Sequence, residues 1–163
     1  RNGRSWPRSR PTGGRGRGRR APEKLRVVPD TNVLVSAFVG HGKPRRLISE
    51  LVKRHELVTS SQLLAELADV LSREKINATP EQADKLVSLI ARAATTVAPQ
   101  RFPGAVPEDP DDEVVLGTAC RGRASHVVTG DRHLLEMKGF RGVRIVTVAE
   151  MLDLLPKGRR RRR

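Results

Sequence analysis

The chain is poor in the residues that most readily announce a chemistry. Of its 163 residues one is Cys, one Trp, three Phe and none Tyr. The lone Cys120 excludes an internal disulfide and fits a reducing compartment; it stands among helix formers and reads as core filler. So few aromatics argue against base stacking as a main recognition mode, leaving backbone and shape contacts for any nucleic-acid partner. No window approaches the roughly twenty apolar residues of a membrane span. The first residues lack the apolar stretch of a secretory signal, so a soluble cytoplasmic protein is expected. There is no GxSxG element, no Cys–His arrangement, and no P-loop or GxGxxG after a strand. His41, His55, His126 and His133 show no zinc-ligand spacing.

Acid is also missing from the first twenty residues, which hold eight Arg. Six more basic residues lie between Lys157 and Arg163. Those fourteen account for the whole formal charge of +14. Between Ala21 and Pro156, 18 Lys and Arg balance 18 Asp and Glu. The basic character therefore belongs to the two tails. The first, RNGRSWPRSRPTGGRGRGRR, is too poor in apolar residues to offset the entropy of ordering, and Arg–Gly segments attract phosphates electrostatically. The expected division is an Arg/Gly-rich tail over 1–22, one domain over 23–156, and a basic tail over 157–163.

From Leu25 onward, short β-branched runs alternate with amphipathic stretches. Strands are predicted at 25–28 (LRVV), 56–59 (ELVT), 95–98 (TTVA), 126–129 (HVVT) and 143–148 (VRIVTV), continuous in the manner of strands buried on both faces. Helices are predicted over 43–54, 61–74, 80–93, 111–121, 131–137 and 148–155. Thr79-Pro80-Glu81-Gln82 has the form of a capping box with Pro at the first helical position, and Thr147 to Glu150 repeats Thr-x-x-Glu. Leu63, Leu64, Leu67, Val70 and Leu71 share one helical face. Such alternation implies an α/β domain, a parallel sheet between helical layers. Ligands of such sheets bind beyond the carboxyl ends of the strands.

That edge is where the acids collect. Asp30 ends the first strand, Asp131 follows HVVT within VVTGD, and EDPDDE (108–113) opens a helix. Glu66, inside SSQLLAELADVL, borders that helix's apolar stripe. Each has a structural reading on its own: Asp30 as a turn residue, Asp111, Asp112 and Glu113 as dipole complements, Asp131 as an N-cap, Glu66 as helix surface. Asp30, Asp112 and Asp131 are expected to converge at this edge, where a packed following helix can also bring Glu66. Clustered carboxylates stay ionised only beside a compensating cation. Oxygen ligands favour Mg²⁺ or Mn²⁺. The Asn32 amide and the hydroxyls of Thr31, Ser36 and Thr129 stand ready to orient ligands.

In this order and context, DTNVLVSA, the acid of LLAEL, DPDDEVVLGTA and VVTGDRHLL resemble the PIN-domain nucleases. The likeness is strongest to bacterial PIN proteins classed as toxins of toxin–antitoxin pairs, relatives of the VapC group. It spans roughly Leu25 to Leu155, with RIVTVAEML at its end. DTN or TGD alone is a weak signal; four ordered acidic blocks are specific. The resemblance implies a three-layer α/β/α fold with strand order 3-2-1-4-5 and Mg²⁺- or Mn²⁺-dependent cleavage of RNA. It also implies an antitoxin partner and a homodimer. Carried over, the catalytic and metal-binding residues are Asp30, Glu66, Asp112 and Asp131, supported by Asn32, Thr129 and Ser36. The third block reads DDE where relatives often show DD or DN, so Glu113 stands as fallback and Asp111 behind it. Arg45, Arg46 and Arg132 are the candidate RNA contacts, with His133 beside them, each also readable as solvated surface. The rival reading is a PIN fold without activity that holds RNA through its tails. Response-regulator and haloacid-phosphatase sites are excluded, since DTNV lacks their second strand-end acid.

Overall fold

The computed structural model describes residues 23–157; most of both predicted tails lies outside the described residues. Four strands carry adjacent apolar pairs: Val27-Val28, Leu57-Val58, Val127-Val128 and Ile145-Val146. Alternate residues of a strand point to opposite faces, so each pair feeds two cores. Val28, Val58, Val127 and Ile145 meet Leu116 and Leu134 on one face. Val27, Leu57, Val128 and Val146 meet Leu47, Leu51 and Met151 on the other.

The strands are β1 (Arg26–Pro29), β2 (Glu56–Thr59), β3 (Ala94–Thr96), β4 (His126–Val128), β5 (Gly139–Phe140) and β6 (Val143–Val146). They form one sheet in the order β3-β2-β1-β4-β6-β5. All neighbours run parallel except β5, which pairs antiparallel with β6. The predicted five-strand order holds, with β6 in fifth place. The addition is β5, closed onto β6 by Arg141 (φ 47°) and Gly142 (φ 83°). Two successive positive φ angles suit a tight hairpin turn.

Among the described residues seven helices flank the sheet: α1 (Thr31–Val39), α2 (Lys43–Arg54), α3 (Ser61–Leu71), α4 (Pro80–Ala93), α5 (Asp112–Arg121), α6 (Arg132–Met137) and α7 (Val148–Leu154). The first has no counterpart among the predicted helices, because after Asp30, Thr31 and Asn32 the run VLVSAFV is almost continuously apolar and lacks a clear amphipathic period. α3 stops at Leu71, short of the expected 74, and β3 ends at Thr96 rather than 98. The Thr79–Gln82 capping box forms in both directions, at 3.0 and 3.2 Å. A third core joins α1, α3 and α4 through Leu34, Val35, Leu67, Leu71 and Ile90. Among the described residues no helix is long and apolar enough to cross a membrane.

Close backbone packing sets the position of α5. Its Gly117 touches backbone, since a Cβ there would collide with the Gln100 carbonyl. The Gln100 amide donates to the Gly117 carbonyl at 3.1 Å. Thr118 Oγ1 donates to the Val114 carbonyl at 2.7 Å and is hydrogen-bonded to the Ser60 hydroxyl at 3.1 Å. Ser60 in turn caps α3 by accepting from the Leu63 amide at 3.3 Å. These contacts fix the first turn of α5 beside the ends of β1 and β4.

Candidate metal centre at the carboxyl edge of the sheet

A carboxylate at the end of a buried strand needs donors, and Asp30 has them. It is 5 % exposed. As N-cap of α1 its Oδ1 accepts from the Thr31 amide at 2.7 Å, and its Oδ2 accepts from Thr129 Oγ1 at 2.8 Å. Its own amide donates to the Val128 carbonyl at 2.8 Å, locking the end of β1 onto β4. Burial pushes the Asp30 carboxyl above its ordinary range; the hydrogen bonds from Thr129 and Thr31 oppose this, and the charges of Asp131 and Asp109 add to it.

Thr129 serves two acids. Its hydroxyl donates to Asp30 while accepting from the Asp131 amide at 2.9 Å. Asp131 caps α6, with Oδ1 accepting from the His133 and Leu134 amides at 2.8 and 3.3 Å. One hydroxyl at the end of β4 thus sets the spacing of the acids that succeed β1 and β4.

Asp112 differs from both. It is 7 % exposed, and its Oδ2 is buried without a hydrogen-bond partner. Desolvation, then the charges of Asp131, Asp109, Asp30 and Glu66, push its carboxyl up to about 7. Buried polar atoms in folded proteins are nearly always satisfied, so an orphaned oxygen on a carboxylate that belongs to an acidic cluster suits a cation. One carboxylate oxygen each from Asp109, Asp112 and Asp131 lies within 4.8 Å of the others. Glu66 sits at the exposed mouth, where Thr31 Oγ1 donates to its Oε2 at 3.2 Å. Partial desolvation, then the charge of Asp30, raises its carboxyl as well.

Of the expected ligands, the structure brings Asp112 and Asp131 into this triad. Asp30 lies outside it, joined to Asp131 through Thr129 and near enough for its charge to act on Asp112. Glu66 stands at the rim. The structure also supplies Asp109, a member of EDPDDE absent from the expected ligand set. Asp109 turns back onto its own segment, its carbonyl accepting from the Asp112 amide at 3.1 Å and its Oδ1 from the Asp111 amide at 3.1 Å. An Asp-Pro-Asp turn was the available signal. Glu113 points elsewhere, accepting from the Gly104 amide at 2.8 Å. Asn32 and Ser36 are exposed and line a shallow cleft that also reaches Thr129.

The candidate RNA contacts separate. Arg45 bonds His41 Nδ1 at 2.9 Å and lines an apolar groove between α1, α2 and α4. Arg46 lines a different cleft, between α2 and α7. Arg132 pairs with Glu136 along α6 at 2.9 Å, both side chains exposed, as is His133.

A parallel sheet whose strand ends gather unneutralised carboxylates defines an α/β domain fitted to a hard divalent cation. The family described as PIN domain matches residues 26–133, and the chain belongs to that family. No curated protein matches the chain. Among solved structures, it resembles the one described as VapBC2 from Rickettsia felis bound to a DNA fragment from their promoter. The TM-score there is 0.57 at 18 % identity, over 76 % of this chain and 98 % of that one. PAE2754 from Pyrobaculum aerophilum aligns with TM-score 0.57 at 14 % identity, over 80 % of this chain and 88 % of that one. At such identities the likeness is one of fold.

Proposed function

We propose that this PIN-domain protein is a metal-dependent ribonuclease and the toxin of a toxin–antitoxin pair, acting in the cytoplasm. The observation that carries the catalytic part is the buried, unpartnered Oδ2 of Asp112, a carboxylate clustered with those of Asp109 and Asp131. A folded chain keeps such an arrangement at a cost to stability, and a bound cation removes that cost. Asp30, Asp112 and Asp131 would hold Mg²⁺ or Mn²⁺, with Asp109 able to complete the set and Glu66 facing it from the rim. Once bound, the ion supplies positive charge to the scissile phosphodiester and acidifies a water.

The chain's own residues do the rest. Thr129 and the Thr31 amide hold Asp30 in one rotamer, and the His133 and Leu134 amides do the same for Asp131. Held this way, the ligands need no rearrangement when charge develops on the phosphate. Glu66, anchored by Thr31, is placed to orient an attacking water or take its proton. No side-chain nucleophile is required. The antitoxin assignment is supported by family membership and by the fold shared with the VapBC2 complex; the homodimer is inferred from the family resemblance alone.

The test is cleavage of single-stranded RNA by the full chain in Mn²⁺ or Mg²⁺, compared with EDTA and with Asp112→Asn. Cleavage that depends on the ion and disappears in the variant supports the reading. Cleavage that survives both removes it. Manganese titration calorimetry gives a second readout: heat with the wild type and none with Asp112→Asn.

A further inference from the structure

Beside the acidic centre lies a cleft of about 470 Å³ that includes Asn32 and Thr129. Its floor is apolar, formed by Val33, Pro44, Leu135 and Val148. A second cleft, of about 550 Å³, runs between α2 and α7. The two share Lys43 and Ala149, so they are contiguous. The second is cationic, with Lys43, Arg46, Arg54 and Lys157 against Glu50 and Asp153. Arg54 is engaged with Glu50 at 3.6 Å. Among the described residues Lys43, Arg46 and Lys157 form no ion pair. Lys157 is succeeded in sequence by Gly158 and five arginines.

The charge of the domain body balances, so unpaired cations gathered along one groove beside a carboxylate cluster are a local feature. The geometry points to a substrate track: single-stranded RNA engaged at the acidic centre continues over the apolar floor. Its phosphates are then held by Lys43 and Arg46 in the α2–α7 cleft. This rests on the ribonuclease reading and specifies which face carries the rest of the strand. The floor has no aromatic residue, so bases lie against aliphatic carbon without stacking. Affinity comes from the backbone and sequence preference is weak. Arg45, directed to the other side of α2, is outside the track.

The test is binding of a short fluorescein-labelled single-stranded RNA to the full chain in EDTA, measured by anisotropy across a salt series. Each phosphate contact to a single strand contributes about 0.7 to the slope of log affinity against log salt. Lys43→Ala with Arg46→Ala is expected to make that slope shallower by about 1.4. The affinity advantage of the wild type then narrows roughly sevenfold between about 50 and 200 mM salt. The control Lys85→Ala with Arg92→Ala, an equal charge removal at exposed positions of α4, is expected to leave the slope as it was. An unchanged slope in the Lys43→Ala/Arg46→Ala double variant overturns the track, as does an equal fall in the two-charge control on α4. It is also overturned if the double variant loses binding to a polyglutamate peptide while RNA binding persists, since the cleft would then be a protein-docking face. Because binding is read without cleavage, lack of ribonuclease activity would sink the functional reading alone. Cleavage with an unchanged slope would sink only the track.

Discussion

Replacing Asp112 by Asn should stabilise the metal-free protein while removing its activity. In the folded chain the carboxyl ionises at about 7, against an ordinary 3.8. Between those values the native state binds more protons than the unfolded state, so this group's contribution to stability falls as pH rises from about 4 to 7. It levels off above that. The gap corresponds to roughly 4 kcal/mol at full ionisation. Solvent at the site mouth reduces it to about half, and losing a negative charge in the first turn of α5 gives back roughly 0.5 kcal/mol. A gain of roughly 1–2 kcal/mol is therefore expected at pH 8, about 2–8 °C in Tm for a domain of this size. Thermal unfolding in EDTA checks it. The variant's advantage should shrink toward pH 4 and invert when saturating Mn²⁺ stabilises only the wild type. If Asp112→Asn lowers Tm at pH 8 in EDTA, the carboxylate is structural and the reasoning fails.

Thr129→Val deprives Asp30 and the Asp131 amide of their shared hydroxyl. It should cost about 1–3 kcal/mol in urea unfolding and weaken Mn²⁺ binding roughly 10–100-fold by calorimetry. Asp109→Asn should lower Mn²⁺ affinity measurably while Glu113→Gln leaves it intact; the opposite ranking would restore Glu113 to the site. Gly117→Ala should destabilise by about 1–3 kcal/mol through its clash with the Gln100 backbone, read as a lower urea midpoint. Thr79→Ala should cost about 1 kcal/mol by removing the hydroxyl that accepts from the Gln82 amide, with metal affinity unchanged.

The sheet could be read from the chain because its central strands are buried on both sides. Pairs such as Val27-Val28 and Val127-Val128 leave no polar position, which few other local structures require. The same property hid α1. Val33 packs against one sheet face while Leu34 and Val35 face α3 and α4, so no polar stripe marks the helix. β5 left no trace because it is two residues long and its turn places Arg141, rather than Asn or Gly, at positive φ. Among the acids, strand ends disclosed Asp30 and Asp131. Within EDPDDE, spacing identified the cluster without ranking its members. The backbone turn at Asp109 brings that residue alongside Asp112, and about 100° of helical rotation sends Glu113 to Gly104.

Both borders of the sheet are blunted. At one side β3 has three residues; at the other β5 has two, folded back by a tight hairpin. Neither offers enough free backbone to template another chain, so fibre growth by strand addition has no foothold here. Among the described residues, lasting association with a second protein then falls to side chains on the helical surfaces, where single substitutions can retune it without disturbing the sheet.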